Sequence, residues 1–372
     1  MPTQPTVSVL MPVRNAAAYV ASSVGSLLRQ TLDDFELLVI NDGSTDATLE
    51  IIRSFSDRRI RVVGDHHNYG IAARLNEGLD SAAGRFIARM DADDIAAPYR
   101  LARQADFLAA HEGVDLVGSA AAYIDARGRL IGAPREYPLI DFEIKFRLLT
   151  SNCLLHPTVM FRRRGADFRY STEFQFAQDY ELWLRLVEEK TYANLPDVLL
   201  LQRRHDGAVS FEKRVEQKRL AGVALKRFAR DFASFSLADP VAAVLVDPSD
   251  LRLSDCSTFE GAINFLSFMA DTMKKKSAAR GQLQSDFISQ EIAFFTMRCF
   301  YSALVGRQFS SIIELAATAG RSSSGRGMIT EVFGSVFRYW RQRRRLNREG
   351  DALRKSFVER GWQLGAATAL DR

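Results

Sequence analysis

Arg85-Phe86-Ile87-Ala88-Arg89-Met90-Asp91-Ala92-Asp93-Asp94 decides how this chain is read. Residues 85–89 have the composition of a β-strand, and three carboxylates follow at once at positions 91, 93 and 94. In an open α/β sheet, ligands collect outside the carboxyl ends of the strands, so acids in this place belong to a site. The same pattern, an apolar run that empties into a polar turn, occurs twice upstream. Val7-Ser8-Val9-Leu10-Met11 ends at Pro12 and is followed by Val13-Arg14-Asn15. Residues 35–40, nearly all apolar as a strand covered on both faces must be, lead into Asn41-Asp42-Gly43-Ser44-Thr45-Asp46. Residues 60–63 form a further strand. Helices are predicted over 16–30, where Val20, Val24, Leu27 and Leu28 share a face, from Asp46 to about 55, and over 70–83. Strand–helix alternation of this kind specifies an α/β fold with a mostly parallel sheet flanked by helices, a Rossmann-like nucleotide-binding half. The turns at 12–15, 41–46 and 90–94 then converge on one crevice.

Past residue 127 the alternation weakens. Arg127-Gly128-Arg129 reads as a turn, 139–150 as a short helix, 156–162 as strand-like, 178–189 as a helix and 198–202 as an apolar run. After Ser210 the pattern is helical, with breaks predicted across 240–249 and 320–325. Two regions follow: 1–210 as the catalytic domain and 211–372 as a mainly helical, basic C-terminal region. With 372 residues and 47% hydrophobic composition, the chain can bury a substantial core. No run approaches the roughly 18 apolar residues of a membrane span, and the N-terminus reads into a strand rather than a signal segment, so a cytoplasmic address is expected. Cys153, Cys256 and Cys299 are too scattered for a disulfide framework or a zinc site. The formal charge of +5 divides unevenly, −4 over residues 1–210 and +9 over 211–372. Residues 337–345 interleave aromatics with arginines, which suits either peripheral contact with an anionic membrane or a solvated basic helix packed on the domain.

Carboxylates as crowded as Asp91, Asp93 and Asp94 are relieved by a cation, and a hard divalent ion, Mn²⁺ or Mg²⁺, takes such oxygen ligands. The competing reading is an Asp-rich loop that caps the helix starting near residue 98. No glycine-rich phosphate loop follows the first strand, which excludes a dinucleotide-binding dehydrogenase and argues against a nucleotide-sugar pyrophosphorylase.

As a set, these loops resemble glycosyltransferase family 2, the inverting nucleotide-sugar transferases with the GT-A fold. The resemblance rests on residues 7–15, 39–46, Asn68-Tyr69-Gly70 with Ala73-Arg74-Leu75-Asn76, residues 83–94, and Gln178-Asp179-Tyr180-Glu181-Leu182-Trp183-Leu184, and covers about the first 210 residues. It implies transfer of a sugar from a nucleotide-diphosphate donor, UDP-sugar first among them, to a hydroxyl of a saccharide or lipid-linked acceptor in glycoconjugate synthesis. Asp42 would read the base; Pro12, Arg14, Asn15, Asn68 and Ala92 would line the nucleotide sugar; Arg74 would bring charge near the diphosphate. Asp91 would reach ribose or metal, and Asp93 would ligate the metal. His205, in Gln202-Arg203-Arg204-His205, would approach the metal or diphosphate, and Asp179 would be the general base. Three positions depart from the family pattern: Arg14 where an aromatic is common, Gln178 for glutamate and Gln202 for tyrosine. The Gln-x-x-Arg-Trp motif of processive synthases is absent, which favours single additions. Nucleic acid is not expected as a partner. The alternative class is a non-catalytic protein that binds nucleotide sugar, membrane or nucleic acid through its basic tail.

Overall fold

The computed structural model describes residues 4–135, 137–163, 168–205, 213–248, 256–276 and 282–305. The membrane-contact reading of residues 337–345 and the break at 320–325 lie outside them. In chain order the first elements are β1 (Val7–Val13), α1 (Val20–Leu28), β2 (Phe35–Asp42), α2 (Thr48–Arg53), β3 (Ile60–Asp65), α3 (Ile71–Ser81) and β4 (Phe86–Arg89). These confirm the predicted alternation, with helix ends drawn in by a few residues. Then come β5 (Ile95–Ala96), α4 (Arg100–Ala110), β6 (Leu116–Ile124), β7 (Leu130–Arg135), α5 (Asp141–Arg147), β8 (Met160–Arg162), α6 (Gln178–Arg185) and β9 (Tyr192–Arg203). The C-terminal helices are α7 (Arg214–Ala233), α8 (Asp239–Val246), α9 (Cys256–Lys276) and α10 (Gln282–Val305).

One sheet runs β3-β2-β1-β4-β8-β6-β9-β5, with β7 paired to β6. The first four strands in that order are parallel, so their carboxyl ends, and the three polar turns, open on one side. The other half is mixed: β8 is antiparallel to β4 and β6, whereas β9 is parallel to β6. Strand β6 is, with the short β5 and β7, an element absent from the sequence reading, because Gly118-Ser119-Ala120-Ala121-Ala122 has little strand propensity. Its small residues serve packing. A side chain at 118 would collide with the Asn194 carboxamide of the neighbouring strand. The predicted break at 240–249 also needs correcting. Pro240 lies in the first turn of α8, where its missing N–H costs nothing, so one break falls before it, and a second follows the helix at Asp247, inside the predicted range.

Alternation along the strands sorts side chains into two layers. Val7, Val9 and Met11 face α1, α2 and α4, whereas Leu10, Leu38 and Ile40 face α3. The second layer extends from α3 through α5 and α6 into α7, α8, α9 and α10, so Leu225, Phe259, Phe265 and Phe295 share one buried cluster with Leu182 and Trp183. Arg147 on α5 pairs with buried Glu291 on α10 across that layer. No helix among the described residues is long and apolar enough to cross a membrane.

Candidate active site

The loops at the strand ends are tied to each other before any ligand is considered. Asn15 takes the left-handed conformation, φ 49°, and its Oδ1 accepts from the Thr45 N–H at 2.8 Å, while its own N–H donates to Ser44 Oγ at 3.2 Å. Asparagine tolerates that conformation better than most residues, so the turn suits the sequence. Asp46 accepts from the N–H groups of Thr48 and Ala17, capping α2 as its position before that helix predicts. Arg14 and Asn68 stand exposed at the rim, and Pro12 is partly covered.

Asp42 is buried at the end of β2 and accepts from Tyr69 N–H at 2.7 Å, Gly70 N–H at 3.2 Å and Arg74 Nε at 3.2 Å. Arg74 is only 3% exposed and spends its other nitrogens on Asp65, Glu77 and the His67 carbonyl. Four acceptors therefore converge on Arg74, and it fixes the Asp42 loop.

At the end of β4, one oxygen from each of Asp91, Asp93 and Asp94 lies within 4.8 Å of the others. Asp93 Oδ2 is 3.0 Å from His205 Nε2, and Asp94 Oδ1 accepts from Arg203 N–H at 2.9 Å. Arg203 Nε also donates to the Asp93 carbonyl at 2.8 Å, so the end of β9 clamps the carboxylate turn. Ser23 Oγ donates to the Ala92 carbonyl at 2.8 Å, fixing the turn from the α1 side. Burial, then the charge of Asp91, holds the Asp93 carboxyl above its ordinary range, with His205 opposing; Asp94, fully enclosed, is pushed much higher by the same causes. Beneath the turn, buried Arg89 pairs with Asp91 and leaves its Nε and Nη1 without partners. Arg100 donates to the Arg89 carbonyl at 2.7 Å, and burial brings its guanidinium down to about 9. Carboxylates raised by desolvation and by one another are stabilised by a divalent ion, and Asp93 and His205 offer it one oxygen and one nitrogen at the mouth.

Asp179 sits in the first turn of α6, half-buried, and its Oδ2 accepts from Asn152 Nδ2 at 2.8 Å. Burial raises this carboxyl; the Tyr180 N–H, the charge of Arg89 and the Asn152 amide work against the rise. Arg89 thus acts on Asp91 and on Asp179 together. His156 is buried and bonded to Tyr170 Oη at 2.9 Å, with burial and then Arg89 holding its imidazole well below its ordinary value, so it is a neutral packing residue.

Residues 8–169 match the family model described as Glycosyl transferase family 2. A glycosyltransferase of Haemophilus influenzae is 31% identical over 229 residues, 58% of this chain and 71% of that protein. This chain belongs to glycosyltransferase family 2. It is a glycosyltransferase, and its sheet and crevice are the GT-A arrangement that the resemblance implied. A UDP-Glc:alpha-D-GlcNAc-diphosphoundecaprenol beta-1,3-glucosyltransferase of Escherichia coli, WfgD, is 29% identical over 218 residues, 57% of the transferase and 83% of its own length. Among solved structures, Staphylococcus aureus TarS 1–349 with UDP-GlcNAc has a TM-score of 0.49 and 18% identity, covering 85% of the transferase and 91% of that chain. Sequence reading gave no role to Arg89, Asn152, Tyr19 or Arg203. Arg89 directly precedes the acids and was visible as a charge inside a strand; Asn152 reaches Asp179 only through the fold. Tyr19, whose ring packs 4.9 Å from His205 and 4.7 Å from the Arg203 guanidinium, carried no signal.

Proposed function

We propose that this glycosyltransferase moves a sugar with inversion from a nucleotide-diphosphate sugar, UDP-sugar first among the candidates, to a hydroxyl of a saccharide or lipid-linked acceptor. The observation that carries this reading is the carboxylate turn at the end of β4, where one oxygen from each of Asp91, Asp93 and Asp94 lies within 4.8 Å of the others and His205 stands 3.0 Å from Asp93. Asp42, held at the end of β2, would read the base, with Pro12, Arg14, Asn15, Asn68 and Ala92 around the nucleotide sugar. Arg74 would contribute through the Asp42 loop that it fixes.

Inversion needs direct displacement at the anomeric carbon. The acceptor oxygen forms the new bond as the bond to the diphosphate oxygen breaks, and the acceptor proton passes to the Asp179 carboxylate. A Mn²⁺ or Mg²⁺ ion held by Asp93 and His205, with Asp91 beside them, would supply positive charge where the departing diphosphate gathers its negative charge. Asn152 aims the Asp179 carboxylate, and Arg203 holds Asp93 and Asp94 in place.

Hydrolysis of a panel of nucleotide sugars with Mn²⁺ or Mg²⁺ identifies the donor without knowledge of the acceptor. Asp93→Ala should abolish metal-dependent turnover of the donor so found. A rate that matches the unaltered enzyme would overturn the assignment of the metal to this turn.

A further inference from the structure

Beside the carboxylate turn, on the flank formed by β6, β7 and β9, a second set of charges has no part in the reading above. Tyr123, near the end of β6, is in register with Gln202 on β9 and Ile131 on β7. Arg204, just past β9, lays its guanidinium over the Tyr123 ring, 4.6 Å from the centroid. Arg135, the last residue of β7, lies 5.4 Å from the centroid of the Tyr137 ring. Burial would raise the Tyr123 phenol, yet the two guanidiniums beside it outweigh burial and bring it below its ordinary value. The Tyr137 hydroxyl is buried beside Tyr123 without a hydrogen bond of ordinary geometry.

Arg74 and Arg89 at the strand ends each pair with a carboxylate, as do Arg147 on α5 and Arg185 on α6. Among the described residues, Arg135 and Arg204 have no carboxylate partner, and both residues are exposed. Each adjoins, along the chain or through backbone hydrogen bonds, residues of the proposed chemistry. Arg204 adjoins His205, which touches Asp93. Tyr137 precedes Pro138, whose carbonyl is bound by the same Asn194 Nδ2 that binds the Cys153 carbonyl, and Cys153 follows the Asn152 that holds Asp179.

We propose that Arg135, Arg204 and the hydroxyls of Tyr123 and Tyr137 form a subsite for a phosphate or diphosphate group carried by the acceptor, a proposal that rests on the transfer reading above. Guanidinium forks match phosphate oxygens two at a time, and stacking on aromatic rings fixes each fork in advance. Two guanidiniums side by side favour a multiply charged oxyanion over a neutral sugar. The subsite binds this group and takes no part in bond making.

Isothermal titration in EDTA, with inorganic pyrophosphate and with geranyl diphosphate as probes, tests the subsite apart from any metal. The unaltered protein should bind both, and the R135A/R204A double variant should bind at least tenfold more weakly, as loss of charge-assisted hydrogen bonds of about 1.5 kcal/mol or more predicts. Tighter binding of geranyl diphosphate than of pyrophosphate assigns the group to a lipid carrier; equal binding assigns it to any diphosphate. The double variant should keep the Mn²⁺-dependent hydrolysis of the donor nucleotide sugar, which shows that it is folded. Equal pyrophosphate affinity in the two proteins, or none in the unaltered one, would overturn the subsite. Absence of hydrolysis in both proteins would instead count against the transfer reading, and the oxyanion measurement would stand apart from it.

Discussion

At the scale of the residue, Asp179 is poised between opposing influences. Burial favours its neutral form, while Asn152, the Tyr180 N–H and Arg89 favour the carboxylate that a general base requires. Removing Asn152 takes away one of these supports, so Asn152→Ala should raise the Asp179 pKa. The base is active only when deprotonated. The acid limb of the kcat/KM against pH profile should therefore move to higher pH, with the plateau less affected. An unshifted limb would show that Asn152 does not tune the base. Asp179→Asn should lower kcat by about 10² to 10⁴, the usual worth of general base catalysis, with donor KM little changed. A steady-state comparison of both constants checks it. The segments that carry Asp42, Asp91, Asp93 and Asp179 could be singled out in the sequence because each is short, contiguous and of recognisable pattern. Arg89 and Asn152 were not, since their roles depend on partners about 90 and 27 positions away or on burial, which local pattern does not encode.

At the scale of the element, the parallel half of the sheet is latched by Glu36. Its carboxylate, 8% exposed, accepts from Ser8 Oγ at 2.6 Å on β1, from Ala83 N–H at 2.7 Å before β4 and from Arg61 Nη1 at 2.7 Å on β3. Burial raises this group, but those bonds outweigh it and leave the carboxyl below its ordinary value. A carboxyl depressed in the folded state contributes stability above its unfolded pKa and loses it as pH falls through the folded one. The stability that Glu36 contributes should therefore begin to fall in the ordinary carboxylate range and be lost in full only below it, and Glu36→Gln should flatten that limb of the stability curve. Urea melts across pH 3 to 7 would reveal it, and parallel curves for the two proteins would remove Glu36 from the account. Gly84 closes the same latch. A Cβ there would meet the backbone of Val7 and Ser8 at distances that neither strand can yield, so Gly84→Ala should cost about 1 to 3 kcal/mol or more. The first four strands were legible because apolar runs and turns alternate there. Strand β6 was hidden by its glycine and alanines, which are chosen for close strand approach and not for propensity.

At the scale of the whole molecule, the helices beyond residue 213 are built into the core that supports Asp179. Trp183 and Leu182 on α6 lie in one buried cluster with Leu225, Phe259, Phe265 and Phe295. Their helical period was legible in the sequence, but the surface they pack against was not, because packing partners leave no local motif. The Arg147–Glu291 pair tests how tightly the parts are joined. Glu291 is buried, its side chain 6% exposed against 20% for Arg147. Glu291→Ala would strand the guanidinium in a largely apolar setting, and loss of one partner from such a pair costs about 3 kcal/mol. If the core is continuous, this change on α10 should lower the melting point of the whole transferase, with helical ellipticity and nucleotide-sugar hydrolysis lost in one coincident transition. Replacing both partners, as in Arg147→Met with Glu291→Leu, should recover much of the loss, because no charge is then left without a partner. If instead the ellipticity fell in two steps while hydrolysis followed only the second, α10 would be an appendage and the continuity of the core would have no energetic meaning.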